Sequence, residues 1–376
     1  MRKVCYVTGT RADFGLMKNT LQAIHLHSQL CLSLLVTGMH LLPTYGETWL
    51  EIADSGLSIG AKVPVNLTGS SGAEMAIALG EQVIGFSQSL QQIEPDLVLL
   101  LGDRGEMLAG AIAAMYLSIP IVHIHGGELS GTVDESIRHA ISKLAHYHLT
   151  ATEKSRERLA RMGEELKHIF VTGAPGLDAI NQVELYERES LFASYGLDHE
   201  LPLLLVLFHP VVQQASEAAS QTRKLLQAVV ESKMQNLVIM PNADAGGSTI
   251  AQVIREYYSQ RQINTAVHVP RREFLSLVSY ADVMVGNSSS GIIEAASLAT
   301  PVVNVGDRQR CRERNANVID VEPVESEILA ALGKARKMKG QHWDNVYGDG
   351  NATEKIVECL TTLSLSPKIL EKVNAY

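Results

Sequence analysis

At 376 residues the chain is too long for one ordinary hydrophobic core, and two domains are expected. Hydrophobic residues make up 46% and charged residues 19%, a balance that puts the chain among soluble globular proteins. With 32 basic against 41 acidic residues the net charge is −9, which excludes a general nucleic-acid or anionic-membrane surface but allows a local basic pocket for a small anion.

The chain enters an apolar strand within its first residues and turns at Thr8-Gly9. It shows neither a signal-peptide core nor an apolar span of about 20 residues. Its four cysteines, Cys5, Cys31, Cys311 and Cys359, lie far apart without a CxxC pair, so free thiols in a reducing cytoplasm are expected. Short apolar, β-branched runs mark strands at 3–8, 32–37, 96–101, 120–124, 147–151 and 168–172. A second series follows at 202–208, 236–240, 265–269, 282–286 and 301–305. These runs are continuously apolar rather than alternating, which means strands covered on both faces in a parallel sheet between helices. The expected fold class is α/β, with two Rossmann-like doubly wound parallel-sheet domains. Pro175, Gly176, Gly196 and Pro202 interrupt the strand signal between them. Residues 1–175 are expected to form the first domain and 176–352 the second, with the amphipathic segment 353–376 folding back to complete the first.

In such sheets ligands lie outside the carboxyl ends of the strands. Glycine beside a polar or charged residue recurs there, in Gly9-Thr10-Arg11, Gly102-Asp103-Arg104, His125-Gly126-Gly127-Glu128, Gly286-Asn287-Ser288-Ser289 and Gly306-Asp307-Arg308. His209-Pro210 and the loop from Asn242 to Asp244 follow two further strands. Two facing rims of this kind make an interdomain cleft. In "DVMVGNSSSGIIEAAS" the serines open a helix whose unpaired N–H groups attract phosphate. Glu294 follows Ser290 at i, i+4, on the same face, where a carboxylate accepts both hydroxyls of a ribose. A serine-glycine helix cap with Glu294 favoured by the helix dipole accounts for the same residues. The stretch lacks the GxGxxG and Walker patterns, which argues against NAD and P-loop chemistry.

The other rim residues each have two readings. Arg11 suits phosphate through its planar fork, or is a surface arginine. Asp103 and Arg104 end an apolar strand, where charges need partners in each other or in a ligand. Asp134 and Arg138 either line the cleft or form an ordinary helical ion pair. His123 and His125 resemble a metal pair on a strand, but no second pair is visible and no metal is assigned. His139, His146 and His148 read as core or surface residues. Pro210 frees the chain from the sheet and can aim His209 into the cleft, while Asn242 and Asp244 read equally as an Asx turn.

Taken together, "TRADFG", "VTGMH", "YGET", "LGDR", "GGELSGTVDESIRHAISKLAHYHL", "FHP", "PNADAG", "GNSSSGIIE", "VGDRQ" and "YGDGNA" resemble the UDP-N-acetylglucosamine 2-epimerase family, and its hydrolysing branch in particular. The resemblance runs in order over nearly the whole chain. It implies a glycosyltransferase-B-type fold with the site between the domains, a UDP-sugar as partner, a homodimer or homotetramer, and neither NAD nor a metal. The implied reaction is an anti elimination of UDP across C1 and C2 of UDP-N-acetylglucosamine, giving 2-acetamidoglucal. Water addition then yields N-acetylmannosamine for sialic acid synthesis. The alternative substrate is UDP-2,4-diacetamido-2,4,6-trideoxyglucose, of the legionaminic acid route.

By position, the resemblance implies that Arg11, Ser288, Ser289 and Glu294 hold UDP. Arg104 and His209 would support the diphosphate or sugar, and Arg138, Asn242 and Asp244 would line the sugar side. Asp103 and Asp134 match the family's catalytic acids, and His125 and His209 complete the expected catalytic set. His125 stands where many members carry glutamate, and an imidazole also serves as base near neutral pH. Gly15 replaces a serine that binds the nucleotide in some members. A non-hydrolysing epimerase, a glycosyltransferase of the same fold and a silent UDP-sugar sensor are competing readings. Hydrogen exchange at C2 and release of free sugar separate them.

Overall fold

The runs LVLLL at Leu97–Leu101 and LLLVL at Leu203–Leu207 are buried at every residue. Such strands cannot keep a wet face, so each lies inside a sheet with helices on both sides. The computed structural model describes residues 1–67, 71–131, 133–178, 180, 183–242 and 244–375. Thr132, Ala243 of the Asn242–Asp244 loop, residues 179, 181 and 182 of the expected seam, and Tyr376 of the C-terminal segment lie outside the described residues.

The first sheet contains β1 (Arg2–Thr8), β2 (Leu30–Thr37), β3 (Ile59–Val63), β4 (Leu97–Leu101), β5 (Ile121–Ile124), β6 (Tyr147–Thr150) and β7 (Ile169–Val171). Its order is β3-β2-β1-β4-β5-β6-β7. The second contains β8 (Leu203–Leu207), β9 (Gln235–Ile239), β10 (Asn264–Ala266), β11 (Val283–Gly286), β12 (Val302–Val305) and β13 (Val318–Val321), in the order β10-β9-β8-β11-β12-β13. The pairings in both are parallel. Each order reverses once, between β1 and β4 and between β8 and β11. This is the doubly wound Rossmann-like arrangement, and a crevice opens at each reversal. The close exit from β11 requires glycine. A Cβ on Gly286 would lie 1.9 Å from the Leu207 carbonyl oxygen, and φ is +136°.

The strands β3 (IGAKV) and β13 (VIDV) lack a continuous apolar run. Both lie at sheet edges, where half-exposed strands mix polar residues into the pattern.

Helix Ala352–Thr362 comes late in the chain, yet Ala352, Ile356 and Leu360 are buried in the first sheet's core with Val4, Leu97 and Leu99. Asp178 accepts the N–H groups of Ala352, at 2.9 Å, and Thr353. Beyond this helix, Lys372 donates to the carbonyls of Ser142, Lys143 and Ala145 at 3.0, 2.9 and 2.6 Å. Those carbonyls close the helix Val133–Leu144, whose dipole favours a cation there. Lys372 also lies 2.6 Å from the buried carboxylate of Glu164. Among the described residues no helix is long and apolar enough to cross a membrane.

Several histidines are packed inside the first domain, among them His40, His123 and His146. His123 sets Nε2 2.7 Å from the Gly102 carbonyl oxygen and Nδ1 3.1 Å from Ser142 Oγ. His40 lies between the hydroxyls of Thr8 and Thr48 at 2.9 and 2.8 Å, and His146 Nδ1 accepts from Ile121 N–H at 3.0 Å. Burial pushes His40 and His123 down to about 3 and His146 to about 4. An unfolded histidine titrates near 6.5, so below that pH the unfolded chain takes up protons that the folded chain refuses. Stability should therefore fall as the pH drops from 6.5 towards 4, by roughly 1.4 kcal/mol per pH unit for each histidine. Asp13, pushed up to about 6 by burial, offsets about one of these histidines between pH 6 and 4. Urea titrations at pH 7.5 and 5.5 measure the difference, and equal stability at both would contradict it.

Candidate functional site

The rims at the two reversals face each other across the gap between the domains. After β1, Thr10 caps the helix Arg11–Leu26, and Asp13 accepts from the N–H groups of Gly9 and Thr10 at 3.0 Å each. This turn sends Arg11 to the second domain, where it meets His268 Nδ1. The other ring nitrogen of His268 lies 2.6 Å from Glu51. After β4, Gly102 turns the chain at φ +83°, and Asp103 and Arg104 follow before the helix Gly105–Tyr116.

After β5, His125 adopts φ +63°, a left-handed backbone that costs a histidine about 1 kcal/mol. That backbone is held on both sides. Its N–H donates to the Leu149 carbonyl at 2.9 Å, and its own carbonyl accepts from Arg138 Nη1 at 2.8 Å. His125 Nδ1 lies 2.8 Å from Glu128 Oε1, so the ring turns towards Glu128 while His123 faces Gly102 and Ser142. The two histidines therefore do not converge as a metal pair. Nor is the ordinary Asp134–Arg138 pair formed. Arg138, 1% exposed, turns inward to Asp103, Glu128 and the His125 carbonyl, while Asp134 lines the cleft.

On the second domain, Asn287 holds the backbone of His209 through two bonds: it accepts from His209 N–H at 2.7 Å and donates to the His209 carbonyl at 2.8 Å. His209 Nδ1 accepts from Asn242 N–H at 3.3 Å. Burial, with the charge of Arg308, pushes His209 down to about 3, so the ring is neutral. Asn242 donates to Asp244 at 2.6 Å and accepts from its N–H at 3.4 Å, an Asx-type contact; Asp244 also reaches Arg104.

Ser288 caps a helix of only five residues, Ser289–Ile293. Glu294 closes that helix instead of lying in its first turn, so the dipole disfavours its charge there. Arg271 supplies the balance by pairing with Glu294 Oε1 and donating to the Gly176 carbonyl at 3.0 Å. Glu294 Oε2 is buried without a hydrogen-bond partner among the described residues. A Cβ on Gly15 would lie 3.4 Å from the Arg271 side chain, which sets this corner against the helix that begins with Arg11.

An open cleft lies between the rims, lined by Asp103, Arg104, Glu106, Asp134, Asp244 and Arg308. Arg104 spans it, 3.3 Å from Glu106 and 3.2 Å from Asp244. Arg312 crosses from the second domain to Glu128 at 2.6 Å and Asp103 at 3.6 Å. Burial alone would raise Glu128, but Arg312, His125 and Arg138 together hold it well below the usual carboxylate range. Burial and the charge of Asp103 raise Asp134. Asp244 is lowered, because Arg104 and Arg308 outweigh its burial.

The structure thus brings Asp103, Arg104, Asp134 and Asp244 into one cleft, with His125 and Arg138 behind it and His209 and Asn242 beside it. Arg11, Ser288, Ser289 and Glu294 lie outside this lining, further along the same rims. Sequence reasoning placed Arg308 on the rim without a role and left Arg271 and Arg312 out of the site. A signal for two of them exists: arginines at every second residue from 308 to 314 in an acidic chain. Two of these four, Arg308 and Arg312, turn into the interdomain gap.

Residues 22–361 match the family model described as UDP-N-acetylglucosamine 2-epimerase. The chain belongs to the UDP-N-acetylglucosamine 2-epimerase family. Among similar members of the family is the UDP-N,N'-diacetylbacillosamine 2-epimerase (hydrolyzing) of Legionella pneumophila, 48% identical over 376 residues and covering 100% of both chains. The UDP-N-acetylglucosamine 2-epimerase of Neisseria meningitidis is 37% identical over 363 residues, covering 96% of this chain and 95% of that one. A crystal structure of UDP-GlcNAc 2-epimerase from Neisseria meningitidis bound to UDP-GlcNAc superposes with a TM-score of 0.79. It is 19% identical and covers 95% of this chain and 99% of that one, so the likeness is one of fold. In this epimerase-family fold, replacing Arg312 by alanine would leave Glu128 buried with one cation fewer. Arg312→Ala should cost roughly 3 kcal/mol of stability, read by urea titration at neutral pH. A loss below about 1 kcal/mol, the level of exposed pairs, would contradict the buried role.

Proposed function

We propose that the chain is a hydrolysing 2-epimerase that converts UDP-2,4-diacetamido-2,4,6-trideoxyglucose to UDP and the free 2-epimeric sugar. The observation that carries the chemistry is the pairing of Asp103 and Asp134 in one cleft. Asp103 is ion-paired with Arg138 and Arg312, while Asp134 has no ion-pair partner among the described residues and is pushed towards its protonated form. Inverting C2 requires one group to take a proton from one face and another to return one on the opposite face. Asp103 takes the C2 proton as the C1–oxygen bond to UDP breaks, leaving a C1–C2 double bond. Water then gives its hydroxyl to C1 and Asp134 delivers its proton to C2; the water's other proton restores Asp134, and the proton taken by Asp103 passes to solvent. His125, its ring set by Glu128, is the second candidate for taking the first proton.

On the nucleotide side, Glu294 Oε2 is the unpartnered acceptor that a ribose hydroxyl would satisfy. Ser288 and Ser289, with Arg11, Arg104 and the neutral ring of His209, take the diphosphate. Asn242 and Asp244 face the sugar. The diacetamido sugar takes precedence over UDP-N-acetylglucosamine because the relative that acts on it is 48% identical from end to end. UDP-N-acetylglucosamine stays as the second reading, supported by the Neisseria relative of that name. The division into domains near residue 175 belongs to this proposal, with the short turn Pro175–Leu177 as its hinge.

The protein incubated with each sugar in heavy water should release UDP and a free 2-epimeric sugar deuterated at C2. Intact substrate in both cases would reject the proposal, and a UDP-linked epimer would replace it with the non-hydrolysing reaction. Asp103→Asn should lower turnover about 100-fold or more while UDP still binds; a near-normal rate would remove Asp103 from the chemistry. Glu294→Ala should weaken UDP binding about 10-fold by calorimetry, and unchanged affinity would remove the ribose contact.

A further inference from the structure

The cleft beside Asp103 and Asp134 is charged on one side and apolar on the other. Helix Gly72–Ile93 turns Met75, Ala78, Leu79 and Gln82 towards it, at spacings of three and four residues that make a single helical face. Leu67 joins them from the segment after β3, and Ile137 from the first turn beyond Asp134. Leu67, Met75, Leu79 and Ile137 are half-buried, so their methyl and thioether groups form surface of the cleft. Met75 is fixed at the domain boundary, where its Sδ accepts from Ala245 N–H at 3.3 Å. The one amide in the row, Gln82, is buried and donates to Thr37 Oγ1 at 3.3 Å.

We infer that this apolar row selects the sugar: it accepts a 6-deoxy hexose with a second acetamido group and disfavours one with free hydroxyls at C4 and C6. The inference rests on the epimerase reading above and adds the residues that choose the substrate. With C1 and C2 held at Asp103 and Asp134, the far edge of the ring lies against the wall next to Asp134. Hydroxyls there would lose their water and find no donor or acceptor on Leu67, Met75, Leu79 or Ile137. The C6 methyl and the acetyl methyl would bury apolar surface instead. A wall of this kind discriminates modestly, because a hydrophobic pocket rejects an added hydroxyl by about 10- to 100-fold and no more.

The test measures kcat/KM of the full-length protein on UDP-2,4-diacetamido-2,4,6-trideoxyglucose and on UDP-N-acetylglucosamine, by release of UDP and free sugar. The diacetamido sugar should be preferred about 10-fold or more. Leu79→Asn and Met75→Gln should each reduce that preference about 10-fold, mainly through KM, with the affinity for UDP unchanged as the sign of an intact site. A preference that neither variant moves overturns the inference while the epimerase reading stands. So does a wild-type preference for UDP-N-acetylglucosamine. A wild type that releases sugar from neither substrate overturns the epimerase reading and this inference together.

Discussion

Arg312 and Arg138 meet Asp103 and Glu128 in the space between the two sheets, and the geometry of the cleft depends on that meeting. Each of these ions would lose several kcal/mol on leaving water alone, so none is tolerable there without the others. Arg138 comes from the first domain and Arg312 from the second. The part of the network made by Arg312 therefore forms only with the two domains together. Arg104 and Asp244 repeat the device on a smaller scale, again with one partner from each domain. Charge balance across the gap thus works beside the small apolar seam of Ala151, Leu177, Ile292, Ile293 and Tyr347, while leaving the gap open to a polar ligand.

Much of the fold was readable from hydrophobic pattern alone, and its failures share one physical cause. Interior strands such as β4 and β8 must be apolar at every position, so they stand out in the sequence. The edge strands β3 and β13 carry glycine, lysine or aspartate, because one side of each meets solvent or a loop. Pattern cannot separate such strands from a polar connection; only pairing to β2 or β12 does.

The site was legible where a residue follows a strand directly. Asp103, Arg104, His125, His209, Asn242 and Asp244 all lie within a few residues of a strand's carboxyl end, and chain geometry brings those ends to one place. It was less legible where partner choice decides the role. The spacing of Asp134 and Arg138 suggests a mutual pair, but the buried carboxylates offer Arg138 a better set of acceptors. Glu294 looked like a first-turn residue because sequence does not reveal that the helix stops after five residues. Arg271 and Arg312 were missed because their partners lie far away in the sequence, at Glu294 and Glu128.

The helix Ala352–Thr362 fills the core of the sheet that begins at Arg2, and Lys372 fastens the end of the helix that carries Asp134. During synthesis these residues emerge after every strand of both sheets. The nascent first half therefore waits, with an apolar flank uncovered, until that later helix emerges. The second sheet has all its strands before that point, so it is free to settle first although it is made later. A chain cut before Ala352 loses the support of its earliest-made half, and with it one wall of the cleft.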